Sequence, residues 1–169
     1  ALAARLYLRT PAGRLLRDRV MLRAPLIGPV VSKTAMARLT RTMSLGLRSG
    51  ISMVDALAAA ERVVGNEVVR QAVTAVRAAV EQGSGLARAM GMQKVFPSLV
   101  VQMVTVGETS GSLEDMLRHL ASRYDMDVES AVKLLVGYVE PAIIVILAGV
   151  VLLIVSSVML PLFQSAGMV

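Results

Sequence analysis

The chain has 169 residues, of which 55% are hydrophobic, and a formal net charge of +6. Its mean hydropathy of +0.65 is too high for an ordinary soluble domain and indicates a membrane segment. One histidine and no cysteine leave a zinc site with almost no ligands, and the scarcity of aromatic residues argues against nucleic-acid binding.

The basic residues are concentrated near the N-terminus. Residues 1–48 contain ten Lys and Arg residues but a single acid, Asp18. Three prolines divide the opening into short pieces, namely Pro11, Pro25 and Pro29. Arginines beside a membrane meet anionic lipid headgroups, at about 1 kcal/mol each. Residues 1–32 are therefore predicted to be a basic juxtamembrane segment.

Residues 33–139 show the spacing of consecutive helices. An apolar stripe recurs every three or four residues, at Met36, Leu39, Met43 and Leu47. Glycines end successive helices, at Gly50, Gly65 and Gly83. Polar residues start the next ones, with Ser52 and Asp55, then Asn66, then Ser84. No segment alternates with a period of two, so the sequence predicts an all-α fold, a cytoplasmic antiparallel bundle of about six helices.

The stretch MVTVGETSGSLEDML, residues 103–117, joins two helices of different character. An apolar helix opens at Pro97, and we expect it to be buried on most of its circumference because it has few polar side chains. Ser112 and Asp115 start a long charged helix. Between them lies the elbow, a candidate site for a partner or for conformational change, defined by Gly107, Glu108, Ser110 and Gly111.

Glu108 is the unusual residue of the elbow, because it places a carboxylate at the end of an apolar helix. In one interpretation it accepts hydrogen bonds from backbone donors at the turn before the long helix and pairs with an arginine such as Arg118. In the other, the elbow presents polar groups to a partner protein. The sequence places no nucleophile nearby, which disfavours a catalytic role.

Other features also point away from an enzyme. The one histidine, His119, is placed on the surface of the long helix. The glycine-containing stretches lack the Lys-Ser/Thr ending of a phosphate loop, which disfavours nucleotide binding of that kind. We therefore predict no enzymatic activity, no cofactor and no metal.

The C-terminal part of the chain is apolar, since no charged residue follows Glu140. Residues 142–160 would rise about 28 Å as a helix, close to the ~30 Å hydrocarbon core of a bilayer. The long helix is therefore predicted to continue into a transmembrane helix over residues 140–163. We place Glu140 and Pro141 at the membrane boundary.

The orientation of this predicted helix follows from charge. All 18 Lys and Arg residues lie at or before Lys133. The positive-inside rule then places residues 33–139 in the cytoplasm and a short tail, residues 164–169, on the far side of the membrane.

Four short motifs carry a resemblance to a known family. They are Leu-Arg-x-Pro-x-x-Gly-Pro at residues 22–29, Gly-Glu-x-Ser-Gly-x-Leu at 107–113, Glu-Pro at 140–141 and Leu-Pro-Leu-Phe at 160–163. With these motifs the chain resembles, over nearly its whole length, the C-terminal half of the PilC/GspF family. Members are inner-membrane platform proteins of type IV pilus and type II secretion machines. A full-length member has two six-helix cytoplasmic domains and three spans, of which one domain and the last span are expected here.

The resemblance implies a structural role in the bacterial inner membrane, coupling a cytoplasmic hexameric ATPase to pilin or pseudopilin assembly and protein export. The partners it implies are that ATPase, pilins or pseudopilins, other inner-membrane platform proteins, the lipid bilayer and further copies of the chain. An alternative interpretation is a membrane-anchored helical adaptor or signalling bundle without pilin contact.

Overall fold

The computed structural model describes residues 11–24, 27–137, 141 and 143–153, and none of these residues is in a β-strand. The helices with defined bounds are α1 (Pro11–Arg23), α2 (Gly28–Arg48), α3 (Met53–Val63), α4 (Glu67–Glu81), α5 (Leu86–Gly91), α6 (Ser98–Ser110) and α7 (Leu113–Gly137). From α1 to α6, each helix packs against the next in the chain, and α1 also packs against α4. The prediction of an all-α fold is confirmed for the described residues, and α1 packs onto the helices that follow it in addition to the six helices expected.

The chain divides into two compact units, Ala1–Ala131 and Val132–Val169. In the second unit, residues 143–153 are helical and exposed. No helix within the described residues is both long enough and apolar enough to cross a membrane. The predicted transmembrane helix also includes Glu140, residue 142 and residues 154–163, which lie outside the described residues, so this helix stays a prediction.

Most helix ends lie where local signals in the sequence predict them. Three glycines with φ of +76° to +87° follow α2, α3 and α4, namely Gly50, Gly65 and Gly83. This left-handed conformation suits a residue without a β-carbon. At the start of α3, the Ser52 hydroxyl accepts a hydrogen bond from the Asp55 amide at 3.2 Å. At the start of α4, the Asn66 side chain accepts from the Val68 amide at 3.0 Å. The predicted caps of α3 and α4 are confirmed.

The core of the first unit is built on the apolar stripe of α2, as predicted. Met36, Leu39 and Met43 are almost fully buried. They belong to one core cluster with Leu117 and Leu120 of α7. The arginines off this stripe stay exposed, as an amphipathic helix requires.

Helix α6 differs from the expectation that most of its circumference is buried. Its buried residues are Val100, Val104 and Gly107, which form one stripe. Leu99 is 44% exposed and Val106 is 53% exposed. The prediction was wrong because a narrow stripe, with spacings of four and three residues, is enough to dock a helix, whatever the polarity of its other faces.

A buried carboxylate, Asp18, connects α1 to the start of α4. Its Oδ2 atom accepts a hydrogen bond from the Glu67 amide at 2.8 Å, and its Oδ1 atom accepts from Arg17 Nε at 3.0 Å. Its backbone carbonyl accepts from the Asn66 side chain at 3.4 Å. The single acid of the basic segment therefore helps to cap a helix 49 residues away in sequence. The boundary of the juxtamembrane segment at residue 32 stays a prediction.

Tyr124 gives the first unit a dependence on alkaline pH. Burial raises the pKa of the Tyr124 hydroxyl above its ordinary value of 10.0, and the charge of Asp127 adds to the rise. As pH rises through about 10, tyrosine ionises first in the unfolded chain, so the free energy of unfolding falls. We expect Tyr124→Phe to lose less stability than the wild type between neutral pH and about pH 10.5 in thermal unfolding. An equal loss in both proteins would contradict the assignment.

Candidate functional site

The elbow between α6 and α7 begins with a close approach of two helices at Gly107. This glycine is buried inside α6 and not in the turn. A β-carbon added there would lie 2.8 Å from Leu113 Cα and 3.0 Å from Met116 Cγ, both in α7. Real β-carbons do not approach backbone this closely, so the absence of a side chain permits the contact. Gly107 therefore sets how near α7 can lie to α6.

The turn itself depends on Gly111, which has φ of +70° and ends α6. Just before it, the Ser110 hydroxyl donates to the Val106 carbonyl at 2.7 Å and lies 2.6 Å from the Ser112 hydroxyl. Ser110 and Gly111 are exposed. This side of the elbow is a hydroxyl-rich surface, held by bonds within the elbow.

Glu108 uses both of its carboxylate oxygens to cap helix α5. Oε1 accepts a hydrogen bond from the Leu86 amide at 2.8 Å, and Oε2 accepts from the Ala87 amide at 3.0 Å. These two amides lie in the first turn of α5, where a helix has no internal partners for its N–H groups. A negative charge there also interacts favourably with the helix dipole. Glu108 therefore joins α6 to α5 through a bidentate backbone contact.

This geometry corrects two details of the structural interpretation of Glu108. The backbone donors belong to α5 and not to the turn before the long helix. Arg118 pairs with Asp115 and Glu114 of its own helix instead of Glu108. The reason is spatial: α6 runs back past the start of α5, so the carboxylate meets amide groups 21 and 22 residues earlier in the chain.

Ser84 does not cap α5 as the sequence predicts. The residue at the cap position is Gly85, which has no side chain to offer the first amides. A β-carbon on Gly85 would lie 3.0 Å from Glu108 Oε1. The glycine leaves the helix start open, and the glutamate of α6 occupies that space. A helix of six residues is not stable on its own in water, so this cap from α6 contributes to the stability of α5.

The close fit between Gly85 and Glu108 yields a test by double-mutant cycle. Gly85→Ala is expected to displace the carboxylate and to lower thermal stability less than Glu108→Ala does, because a side-chain end can shift. In the Glu108→Ala background, Gly85→Ala has no carboxylate to displace. We therefore expect non-additivity of about 0.5 kcal/mol or more between the two changes in denaturant unfolding. Strict additivity would show that the two residues act independently.

The polar groups around Glu108 are engaged in contacts within the protein. Both Glu108 oxygens are already bonded to backbone amides, and the neighbouring hydroxyls of Ser110 and Ser112 contact each other. Within the part of the chain that the structure describes, no group of three or more His, Cys, Asp or Glu side chains is placed to hold a metal ion. Of the two predicted membrane-boundary residues, Pro141 is helical and exposed, and Glu140 lies outside the described residues.

Similarity to known proteins covers almost the whole chain. The family model for "Type II secretion system (T2SS), protein F" matches residues 39–161. The type IV pilus assembly protein PilC of Myxococcus xanthus is 40% identical over 159 residues, which is 94% of this chain and 38% of that protein. PilC of Thermus thermophilus is 40% identical over 98% of this chain and 41% of its own length. The type II secretion system protein F of Vibrio cholerae is 36% identical over 95% of this chain and 39% of its own length. The chain spans about two fifths of the length of the curated relatives that it matches.

Proposed function

This chain belongs to the type II secretion system protein F family, and from that membership we propose that it is part of the inner-membrane platform of a type IV pilus or type II secretion machine. The observation that carries the proposal is the family match over residues 39–161, which includes the entire elbow. Relatives named for pilus assembly and for secretion have similar sequence identities to the chain, 40% and 36%, so the proposal covers both machines.

The role proposed for the chain is mechanical and not enzymatic. It receives a conformational change from a cytoplasmic hexameric ATPase and passes it to pilins or pseudopilins as they leave the membrane. The elbow supports this role because Gly107 sets the separation of α6 and α7, while Glu108 fixes α6 to α5. Three helices are thereby connected through two adjacent residues. A displacement of one of these helices would therefore be transmitted to the other two.

The coupling can be tested by co-purification from the native host. The full-length protein, tagged and solubilised in mild detergent, is expected to retain the secretion or pilus ATPase after cross-linking. Recovery of a signalling kinase or receptor in place of the ATPase and pilins would favour the adaptor alternative and overturn the platform proposal.

The proposed placement in the membrane is testable because the chain contains no cysteine. With the bulk of the protein in the cytoplasm, Ser165→Cys is expected to react with a membrane-impermeant maleimide in intact spheroplasts. His119→Cys, at an exposed position of α7, is the matched control and should react only after lysis. Labelling of Ser165→Cys only after lysis would reverse the proposed orientation.

A further inference from the structure

A basic groove lies beside α2 in the first unit. It consists of two adjoining hollows of about 590 and 300 Å³, which share Arg41 and Asp125 in their linings. The first hollow adds Arg38 and Arg62. The second adds Arg48 and Arg118, so that five arginines from α2, α3 and α7 line what we call the arginine groove.

The charges of the arginine groove are only partly neutralised within the molecule. Asp125 is the one acidic residue in either lining, and it pairs with Arg41. Among the described residues, no acidic side chain lies within ion-pair distance of three groove members, Arg38, Arg48 and Arg62. Arg38 does reach the Val63 carbonyl, with Nη1 to O at 3.4 Å. The groove therefore keeps a positive charge directed to solvent.

The dimensions of the groove decide which anion it fits. Arg38 and Arg48 are ten residues apart on α2, which is a rise of about 15 Å along a helix. A single phosphate or carboxylate would contact both only if the two side chains bent toward each other, whereas an extended anion meets each arginine at its own position along the helix. Leu45, in the second hollow, is 56% exposed and offers an apolar contact between charged groups. An elongated ligand with several negative charges and an apolar side chain matches this pattern.

We propose that the arginine groove binds an acidic peptide segment of a partner protein. Carboxylates along the segment contact the guanidinium groups, which accept bidentate pairing, and an apolar side chain of the segment covers Leu45. Complementary charge of this kind sets partner choice and association rate more than it sets affinity. The groove shares no residue with the elbow, so this inference does not rest on the proposed platform function.

The probe for the test is a fluorescein-labelled peptide, Glu-Glu-Leu-Glu-Glu-Leu-Glu-Glu, added to the full chain in neutral detergent. Arg48→Glu combined with Arg62→Glu is expected to weaken binding, measured by fluorescence anisotropy, by about tenfold or more. Arg88→Glu is the matched control for each change. Like Arg48 and Arg62, Arg88 is exposed and lies in the last turn of its helix, but it is outside the groove. Binding by this control is expected to stay close to wild type.

Three results would overturn the proposal. The first is equal weakening by Arg88→Glu, which would indicate general attraction to a basic protein. The second is tight binding of phosphatidylglycerol vesicles or inorganic triphosphate through the same arginines without binding of the peptide. The third is unchanged peptide binding in the double variant. If the double variant unfolds at a lower temperature than the wild type, Arg48→Gln combined with Arg62→Gln replaces it. This pair removes the same positive charges without introducing negative ones, and the same tenfold loss of peptide binding is expected.

Discussion

Glu108→Ala is expected to lower the free energy of unfolding by about 1–2 kcal/mol, in the range measured for loss of a helix cap. The substitution leaves the Leu86 and Ala87 amides without their carboxylate partner. Leu86 is buried, so water replaces its lost bond poorly. The exposed Glu129 on α7 is the matched control, and Glu129→Ala is expected to change stability by less than about 0.5 kcal/mol. Urea unfolding measures both.

The same variants separate a structural role for Glu108 from a role in binding a partner. Glu108→Gln keeps one oxygen acceptor but places an amide donor against the second backbone N–H, so we expect it to lose most of the cap. If pilus or secretion output falls in proportion to stability, Glu108 acts by holding α5 in place. A loss of output with unchanged stability would assign it to a partner contact. If Glu108→Ala matches Glu129→Ala in both assays, the cap has no role.

Gly107→Ala is expected to be destabilising by about 1–3 kcal/mol, the usual result of forcing an extra carbon into a packed contact. Alanine is ordinarily the better helix former by about 1 kcal/mol, so propensity alone predicts the opposite sign. The contact with the Leu113 backbone decides the outcome, because backbone cannot rotate away as a side chain can. The helices would have to separate, and the geometry of the elbow would change with them.

Gly91 provides the control glycine for this experiment. A β-carbon there would meet Val101 at 3.6 Å, an ordinary contact, and Gly91 is not among the glycines with positive φ. Thermal unfolding of both variants is the measurement, and Gly91→Ala is expected to be neutral or mildly stabilising in it. Should Gly107→Ala stabilise the protein as well, the close approach of α6 and α7 is looser than the structure indicates.

The sequence predicted those parts of the fold that local signals encode. The buried stripe of Met36, Leu39 and Met43 on α2 follows from the periodicity of apolar residues. Asn66 caps its own helix by accepting from amides only two and three residues later in the chain. Gly50 ends α2 because its left-handed conformation needs no distant partner. In each case, the cause and the effect lie within about one helical turn.

Long-range contacts of the candidate site were not predictable in the same way. The sequence singled out Glu108, but its donors lie 21 and 22 residues earlier, and the equivalent separation for Asp18 and Glu67 is 49 residues. Such pairs depend on how helices pass one another in space. The sequence offered one sign that α5 needs a cap from elsewhere. This helix starts after Gly85, which has no side chain with which to cap it.

Caps donated by another helix also determine which parts of the bundle open together. The Glu67 amide donates to Asp18 of α1, and the Leu86 and Ala87 amides donate to Glu108 of α6. Their hydrogen-exchange rates therefore report undocking of a remote helix instead of fraying of their own. Helix α5 is too short to be stable alone, so its first turn depends on the docked α6. Side chains that act across helices therefore make the stability of one helix depend on the docking of another, and we expect α5 to open whenever α6 undocks.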